Sequence, residues 1–279
     1  MKLSGLVKVP YSKRSDAGLH HHNQASHPAA FAAGSVSAIQ GLSGNSVLVE
    51  NTCGKWVRRT ASTHAELRRQ YRALQLLPHS LAPAPVFMSR PWLYVEWVEG
   101  QVAASWPPAD VLARTLSLLH HQPLFGWRIV LLPLLQRYWQ NAAPSRRTVF
   151  WLAQLKKCQR IREPGPIRLA PLHMDIHPGN IVHQGNKVRL IDWEYAGDGD
   201  VGLELATLAI DEPPQFAACV ASYARQMHLN EVRLGQQINR WLPWVNLLMA
   251  SWYEYRWQET QTSEFIQLAD QAWCRLKHT

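Results

Sequence analysis

Long hydrophobic runs are missing from this sequence of 279 residues. No apolar stretch approaches the ~20 residues that a helix needs to cross a bilayer, so the sequence excludes a helical membrane-spanning protein. Lys2 and Lys8 lie near the start of the chain, but no apolar segment follows them, and we therefore expect no signal peptide. These features predict a soluble protein.

Cysteine is scarce, and its positions are scattered. The four cysteines, which form no C-x-x-C pair, are Cys53, Cys158, Cys219 and Cys274. A zinc ribbon takes paired thiolate ligands, so this pattern excludes one. Unpaired thiols are typical of a reducing compartment, and we expect a cytoplasmic protein.

Acidic residues are outnumbered, because 20 Asp and Glu face 29 Lys and Arg, which gives a net charge of +9. A basic excess of this size predicts an anionic partner. Hydrophobic residues make up 47% of the chain, which excludes a disordered or fibrous protein. Three classes stay open at this point: a nucleotide-using enzyme, a nucleic-acid binder and a membrane-surface protein.

The chain divides into three regions by pattern. Residues 1–35 lack periodicity and predict an irregular tail, in which the run from His20 to His22 could bind a transition metal but is better explained as a solvated segment. Residues 36–98 predict a small β-rich lobe, and residues 99–279 a larger, mostly helical lobe. The overall prediction is an α+β fold of two lobes that share a cleft.

Hydrophobic periodicity places the elements within these lobes. The predicted strands of the first lobe are 36–39, 47–49, 56–59, 84–88 and 91–98, with one helix at 62–77. The predicted helices of the second lobe are 110–121, 129–142, 146–161, 200–210, 214–227, 231–258 and 262–277. A β-rich interruption at 167–193 separates the third and fourth of these helices.

This interruption carries the chemistry. Asp175, Asn180 and Asp192 lie at or beside the ends of short apolar strands, and His173 precedes the first aspartate by two positions. Buried carboxylates are costly unless they meet a cation or a donor. The spacing H-x-D-x₄-N, followed by a strand that ends in Asp, is typical of phosphoryl transfer, which needs a proton acceptor and oxygen ligands for Mg²⁺. The alternative is a hairpin with capping Asp and Asn residues.

The nucleotide half of such a site is less sharply defined. A loop of small residues could cover phosphates with its backbone N–H groups; its members are Gly41, Ser43, Gly44 and Asn45. The cation for the phosphates is either Arg58 or Arg59, which point to opposite faces of a strand, and we favour Arg59. Main-chain groups between Glu96 and Val98 are the predicted adenine contacts.

The sequence resembles the aminoglycoside phosphotransferase/choline kinase family over roughly residues 37–273. The resembling segments are 69–74, 125–129, 132–135, 171–180, 190–200, 203–206 and 254–257. The resemblance implies a protein-kinase-like two-lobed fold, with Asp175 as catalytic base beside His173, and with Asn180 and Asp192 as Mg²⁺ ligands. It also implies that ATP is the phosphoryl donor.

The acceptor implied by this resemblance is a small cationic alcohol, with thiamine phosphorylated at its primary hydroxyl in a salvage reaction. Choline, ethanolamine and other amino alcohols are the alternatives. Two positions depart from the family pattern. Arginine replaces the lysine that usually binds the phosphates, and Gln70 replaces the glutamate that usually pairs with it, unless Glu66 takes that part.

A cationic acceptor favours aromatic rings and a carboxylate. Trp244, Trp252 and Tyr255 fall on one stripe of the predicted helix 231–258, although such a stripe is more often part of a core. Glu194 is the carboxylate best placed by sequence to meet the cation, and Glu254 is a weaker candidate. 

The charge of +9 also allows a nucleic-acid binder, but the basic residues are scattered, and no known binding module accompanies them. We expect neither a nucleic-acid nor a membrane partner, and a monomer. 

Overall fold

The computed structural model describes residues 35–38, 46–52, 54–61, 63–185, 187–211 and 213–278. Several residues singled out by sequence lie outside these ranges: His20, His21, His22, Gly41, Ser43, Gly44, Asn45 and Cys53.

The N-terminal part is a five-stranded antiparallel sheet with one helix. Its strands are β1 (Ser35–Ala38), β2 (Ser46–Asn51), β3 (Gly54–Arg59), β4 (Pro85–Ser89) and β5 (Trp92–Glu96), in the spatial order β1-β2-β3-β5-β4. Strand β5 lies inside the sheet and buries Leu93, Tyr94 and Val95. This position explains why the segment is the most apolar strand of the sheet.

Helix α1 (His64–Leu76) connects β3 to β4 and begins with a capping box. The Thr63 hydroxyl accepts from the backbone N–H of Glu66, and the Glu66 carboxylate accepts from the backbone N–H of Thr63. Such a reciprocal pair satisfies two donors that the first turn of a helix leaves open. Leu67, Ala73 and Leu74 are buried on the face that packs towards the main core.

The rest of the chain is mainly helical. Its helices are α2 (Ala109–His120), α3 (Leu131–Asn141), α4 (Val149–Ile161), α5 (Val201–Ile210), α6 (Phe216–Gln226), α7 (Glu231–Thr260) and α8 (Ser263–His278). Helix α7 packs against α3, α5 and α8, while α2 packs against α6. No helix in the described part of the chain is both long enough and apolar enough to cross a membrane.

Two small sheets interrupt these helices. Their strands are β6 (Gln101–Val102), β7 (Leu169–Leu172), β8 (Ile181–Gln184), β9 (Lys187–Leu190) and β10 (Gly197–Asp200), which form an antiparallel sheet in the order β6-β8-β9 and an antiparallel pair of β7 with β10. Because β7 and β9 end near each other, the segments that follow them meet at one edge of the cleft.

The predicted α+β architecture, with a small β-rich part and a larger helical part, is confirmed. Each predicted helix overlaps an observed one, with ends that differ by a few residues. The two-residue strand β6 and the glycine- and aspartate-rich strand β10 were not predicted individually, because neither has the alternating apolar pattern that identifies a strand.

Candidate active site

A cavity of about 720 Å³ lies between the five-stranded sheet and the helical part. Its polar lining residues include Arg59, Gln70, Glu96, Asp175, His177, Asn180, Asp192, Glu194, Asp211 and Arg256, and its aromatic lining residues include Trp97, Trp193, Tyr195, Trp252 and Tyr253. Asp175, Asn180 and Asp192, which the sequence predicts for phosphoryl transfer, therefore share one cavity with Arg59.

Asp175 follows β7 on a tightly held turn. Met174 has a φ of 69°, in the left-handed region that non-glycine residues rarely adopt. The Glu204 carboxylate on α5 accepts from the backbone N–H of Met174 at 2.6 Å and from that of His173 at 3.0 Å. These bonds hold the turn that directs Asp175 into the cavity.

His173 supports this turn and does not line the cavity, which corrects its prediction as a catalytic residue. The side chain is fully buried. One ring nitrogen, Nε2, lies 2.8 Å from the carbonyl oxygen of Ile191, and the other, Nδ1, accepts from the backbone N–H of Asp175 at 3.2 Å. Burial lowers the pKa of His173, even though nearby carboxylates act to raise it. A neutral ring that donates through Nε2 and accepts through Nδ1 satisfies both contacts.

Asn180 ends a short 3₁₀ turn directly before β8. Its side-chain N–H₂ group donates to the backbone oxygen of Asp175 at 2.9 Å and to the Asp175 carboxylate at 3.0 Å. The side-chain oxygen of Asn180 is not used in these contacts. This arrangement orients the Asp175 carboxylate while leaving an amide oxygen for another partner.

Asp192 follows β9 and has a φ of 65°. Its carboxylate forms an ion pair and hydrogen bond with the Arg59 guanidinium, which also lies 4.0 Å from Glu194. Burial acts to raise the pKa of Asp192, but the charge and hydrogen bond of Arg59 outweigh it and hold the pKa below its usual value. Burial, together with the charge of Asp192, raises the pKa of Glu194 to about 7.

The two arginines of β3 point in opposite directions. Arg59 is 6% exposed and lines the cavity, whereas the Arg58 guanidinium lies over the ring of Trp92, 4.3 Å from its centroid. Only Arg59 of this pair therefore reaches the cavity.

The two candidate supporting residues on α1, Glu66 and Gln70, have different surroundings. The carboxylate of Glu66 is used in the capping box at Thr63, which contradicts a part for Glu66 beside Arg59. Gln70 is 3% exposed and lines the cavity. At this position an uncharged amide replaces a carboxylate, and the charge partner of Arg59 is Asp192 instead.

Glu96 and Val98 both line the cavity at the end of β5. The Glu96 carboxylate accepts from Arg189 at 2.7 and 2.8 Å, and the Glu96 backbone N–H donates to the Ala84 oxygen at 2.9 Å. The Glu96 N–H is therefore not available to a nucleotide base, so the predicted adenine contact at Glu96 is limited to its carbonyl oxygen. The Val98 position keeps its predicted place beside the cavity.

Two of the predicted acceptor contacts are wrong. Trp244 is fully buried in the core, and Tyr255 stacks on Tyr138 with 5.1 Å between ring centroids. Glu254 also lies elsewhere, in an ion pair with Arg146. The stripe chosen by sequence is the face of α7 that packs into the core, and only Trp252, at its margin, reaches the cavity.

A different face of α7 lines the cavity. Met249, Trp252, Tyr253 and Arg256 follow one another at intervals of three, one and three residues, which is one side of an α-helix. Asp211, directly after α5, lines the same end of the cavity. Of the α7 residues, Met249, Tyr253 and Arg256 are not predicted from the sequence, because a helix that is aromatic on two sides gives no sign of which side faces a ligand.

The oxygen donors at the catalytic edge fit Mg²⁺. Asp192 and the unused amide oxygen of Asn180 are hard ligands of the kind that Mg²⁺ prefers, and this ion usually takes only one or two protein carboxylates when phosphates complete its coordination. In the described part of the chain, no group of three or more His, Cys, Asp or Glu side chains is arranged to hold a metal ion by itself.

The sequence model of the phosphotransferase enzyme family matches residues 35–235. The chain belongs to this family. The match spans the five-stranded sheet, the catalytic segment and the start of α7. It therefore includes Arg59, Asp175 and Asp192, whereas the cavity-lining residues of α7 lie beyond it.

Among curated relatives of the chain, a thiamine kinase from Escherichia coli O139:H28 (strain E24377A / ETEC) is 47% identical over 240 residues, which cover 85% of this chain and 88% of the relative. A thiamine kinase from Shigella boydii serotype 4 (strain Sb227) is 47% identical over the same shares.

Solved structures support the fold. The choline kinase LicA from Streptococcus pneumoniae superposes with a TM-score of 0.69 at 15% identity, covering 88% of this chain and 94% of that chain. A macrolide 2'-phosphotransferase type I superposes with a TM-score of 0.59 at 15% identity, covering 88% and 91%. At these identities the likeness extends to the fold alone.

Proposed function

We propose that this protein is an ATP-dependent kinase that transfers the γ-phosphoryl group of ATP to the primary hydroxyl of thiamine, giving thiamine monophosphate and ADP. The observation that carries this proposal is a cavity lined by Asp175, Asn180 and Asp192 in a chain that is 47% identical to proteins named thiamine kinase. Neither part would suffice alone, because the motif specifies phosphoryl transfer and the likeness specifies the acceptor.

Asp175 is the proposed base. Its carboxylate, oriented by Asn180, accepts the proton of the acceptor hydroxyl as the hydroxyl oxygen bonds to the γ-phosphorus and the bond to the ADP oxygen breaks. Because the transition state of phosphoryl transfer is largely dissociative, positioning of the hydroxyl is the main task of this residue. The Asp175 side chain is 32% exposed, so the proton can pass to water after product release.

Asp192 and Asn180 would hold Mg²⁺. When bound with ATP, this ion would neutralise the charge of the phosphates and help to orient them. In the structure Asp192 is paired with Arg59, and we propose that Arg59 turns to the phosphates when the nucleotide is bound. A guanidinium binds phosphate oxygens well because its N–H groups form a planar fork.

The acceptor end of the cavity would receive the thiazolium cation. Trp252 and Tyr253 supply ring faces, which attract cations, and Asp211 and Glu194 supply acidic side chains that line the same cavity. This assignment keeps Trp252 and Glu194 from the sequence prediction and replaces Trp244 and Tyr255 by Tyr253 and Asp211.

The test is ADP release by the purified protein with Mg-ATP, measured in parallel with thiamine, choline, ethanolamine and kanamycin. We expect turnover with thiamine that is absent in Asp175→Asn. Turnover with choline or ethanolamine but not thiamine would keep the phosphotransferase reaction and overturn the acceptor. No turnover with any of the four would overturn the proposal as stated.

We also propose that the protein acts as a monomer in the cytoplasm, with no nucleic-acid or membrane partner. The free thiols of Cys158, Cys219 and Cys274 suit a reducing compartment. Light scattering would test whether the protein is a monomer. A salt titration of nucleic-acid binding would test whether it has a nucleic-acid partner.

A further inference from the structure

We propose that Tyr223 and His120 are positioning residues for phosphoryl transfer, which act through Glu204 on the backbone that presents Asp175. This inference rests on the proposed function, because it assigns an effect on turnover to groups that do not touch the substrates. It concerns a buried chain of side chains that lies behind the cavity and is not among the residues that line it.

Glu204 is the centre of this chain. Its carboxylate is fully buried and accepts from the backbone N–H groups of His173 and Met174. A buried carboxylate is costly unless its oxygens are hydrogen-bonded, so further donors are needed besides these two. Sequence offered one sign of this, since Glu204 is the single ionisable residue in the otherwise apolar helix α5.

His120 supplies a further donor. The ring, at the end of α2, lies with Nε2 2.9 Å from Glu204 Oε2 and with Nδ1 2.6 Å from the hydroxyl oxygen of Tyr223 on α6. A carboxylate can only accept, so Nε2 carries a proton, and the Tyr223 hydroxyl is the hydrogen-bond partner of Nδ1. Burial raises the pKa of Tyr223, which keeps its hydroxyl protonated as a donor.

The Tyr223 hydroxyl therefore holds the ring in the position from which its Nε2–H group faces Glu204. The His120 ring in turn fixes the Glu204 carboxylate, which binds the backbone N–H groups of His173 and Met174. Met174 has a φ of 69°, which is costly for a residue with a side chain. Loss of the hold would let this turn relax and move Asp175.

The matched control is Ser222, the neighbour of Tyr223 on α6. Its hydroxyl donates to Asp110 on α2 at 2.9 Å, so it links the same two helices. Unlike the Tyr223 bond, this one does not continue to Glu204. Ser222→Ala and Tyr223→Phe thus each remove one hydroxyl between α2 and α6, and only the second interrupts the chain to the catalytic turn.

The experiment compares these two variants with the wild-type protein in three measurements: steady-state kinetics with Mg-ATP and thiamine, thermal unfolding, and amide hydrogen exchange of His173 and Met174. We expect Tyr223→Phe to lower kcat about 10-fold, because small displacements of a catalytic group are costly, with both KM values within about twofold. We also expect faster exchange of the two amides. Ser222→Ala should change neither kcat nor this exchange.

A second pair of variants separates the loss of the His120 hydrogen bond from a general loss of stability. His120→Gln keeps an N–H donor that can reach Glu204, whereas His120→Leu is of similar size and has none. If the two variants unfold at the same temperature, we expect the kcat of His120→Gln to be at least several times that of His120→Leu. Unchanged kcat and unchanged amide exchange in Tyr223→Phe would overturn the proposal.

The amide measurement does not depend on the acceptor. If thiamine proved not to be phosphorylated, faster exchange of His173 and Met174 in Tyr223→Phe would still be expected. Failure of the proposed function and failure of this inference therefore give different results.

Discussion

The two ends of the cavity are built differently. At the catalytic end, backbone turns in the left-handed region at Met174 and Asp192 are held by hydrogen bonds and an ion pair, and each group has a fixed partner. At the acceptor end, the lining comes from one face of α7, with Trp252 and Tyr253, and from Asp211 beside it. Under the proposed function, the catalytic end is preorganised for phosphoryl transfer, and the acceptor end would select by shape and charge.

This difference has a physical basis. Phosphoryl transfer needs groups positioned to fractions of an ångström, which short hydrogen-bonded turns on buried strands provide. Recognition of a cationic ring needs apolar area and diffuse negative potential, which the side of a helix provides. Substitutions at the catalytic end should therefore change kcat or the KM for Mg-ATP, and those at the acceptor end the KM for thiamine.

The largest effect is expected at Asp175. Asp175→Asn removes the proton acceptor and preserves the size of the side chain, so kcat should fall by about 10²–10⁴-fold, the range of general base catalysis. Calorimetric titration with Mg-ATP should give an affinity close to that of the wild type. A variant with wild-type kcat would show that Asp175 is not the base.

The next effect is expected at Asp192. Asp192→Asn removes the partner of Arg59 and a charged oxygen from the proposed Mg²⁺ site, and bonds to charged groups contribute about 1.5–3 kcal/mol. The KM for Mg-ATP should rise roughly 10- to 100-fold, in contrast to Asp175→Asn. An unchanged KM for Mg-ATP over a range of Mg²⁺ concentrations would contradict the assignment.

At the acceptor end, two tryptophans of α7 form a matched pair. Trp252→Leu should raise the KM for thiamine roughly 2- to 30-fold, the equivalent of about 0.5–2 kcal/mol for a cation over an indole ring, and leave kcat nearly unchanged. Trp244→Leu should lower the unfolding temperature, because that ring is fully buried, without a selective change in this KM. Equal effects of the two substitutions on KM would remove Trp252 from the acceptor site.

The smallest effect concerns Glu96, at the edge where the sheet meets β9. Burial acts to raise the pKa of Glu96, but hydrogen bonds from Arg189 and Ala84 hold it below the ordinary value of 4.5. Its contribution to stability is therefore present above about pH 4.5 and is lost as the pH falls through the lower folded-state pKa. Because the carboxylate is partly exposed, Glu96→Gln should cost less than about 1 kcal/mol near neutral pH.

Denaturant unfolding at several pH values would test this prediction. The difference in unfolding free energy between the wild type and Glu96→Gln should shrink as the pH is lowered below 4.5. A difference that stays constant down to pH 3 would mean that the Arg189 contact does not depend on the charge of Glu96.

Much of the catalytic end could be predicted from sequence because its chemistry is local. Asp175 and Asn180 are five residues apart, and Asp192 follows one further hairpin, so the topology of short strands brings them together. The alternation of side chains along a strand predicted that only one of Arg58 and Arg59 faces the cavity, and the structure identifies that residue as Arg59.

The parts that sequence could not predict depend on contacts between distant segments. Glu66 and Gln70 lie one helical turn apart on α1, so the sequence does not distinguish them. The capping box, in which Glu66 binds Thr63, is seen only in the structure. Which face of α7 lines the cavity depends on how α3, α5 and α8 pack around it. His173 matches the motif of a catalytic segment, but its burial, which decides its part, is a property of the tertiary structure.

The most direct test of the account is product identification after incubation of the purified protein with Mg-ATP and thiamine, by mass spectrometry and phosphorus NMR, with Asp175→Asn in parallel. We predict thiamine monophosphate and ADP in equal amounts from the wild-type protein and at least about 100-fold less of both from the variant in the same time. Formation of thiamine monophosphate by Asp175→Asn at the wild-type rate, or none by the wild-type protein, would contradict it.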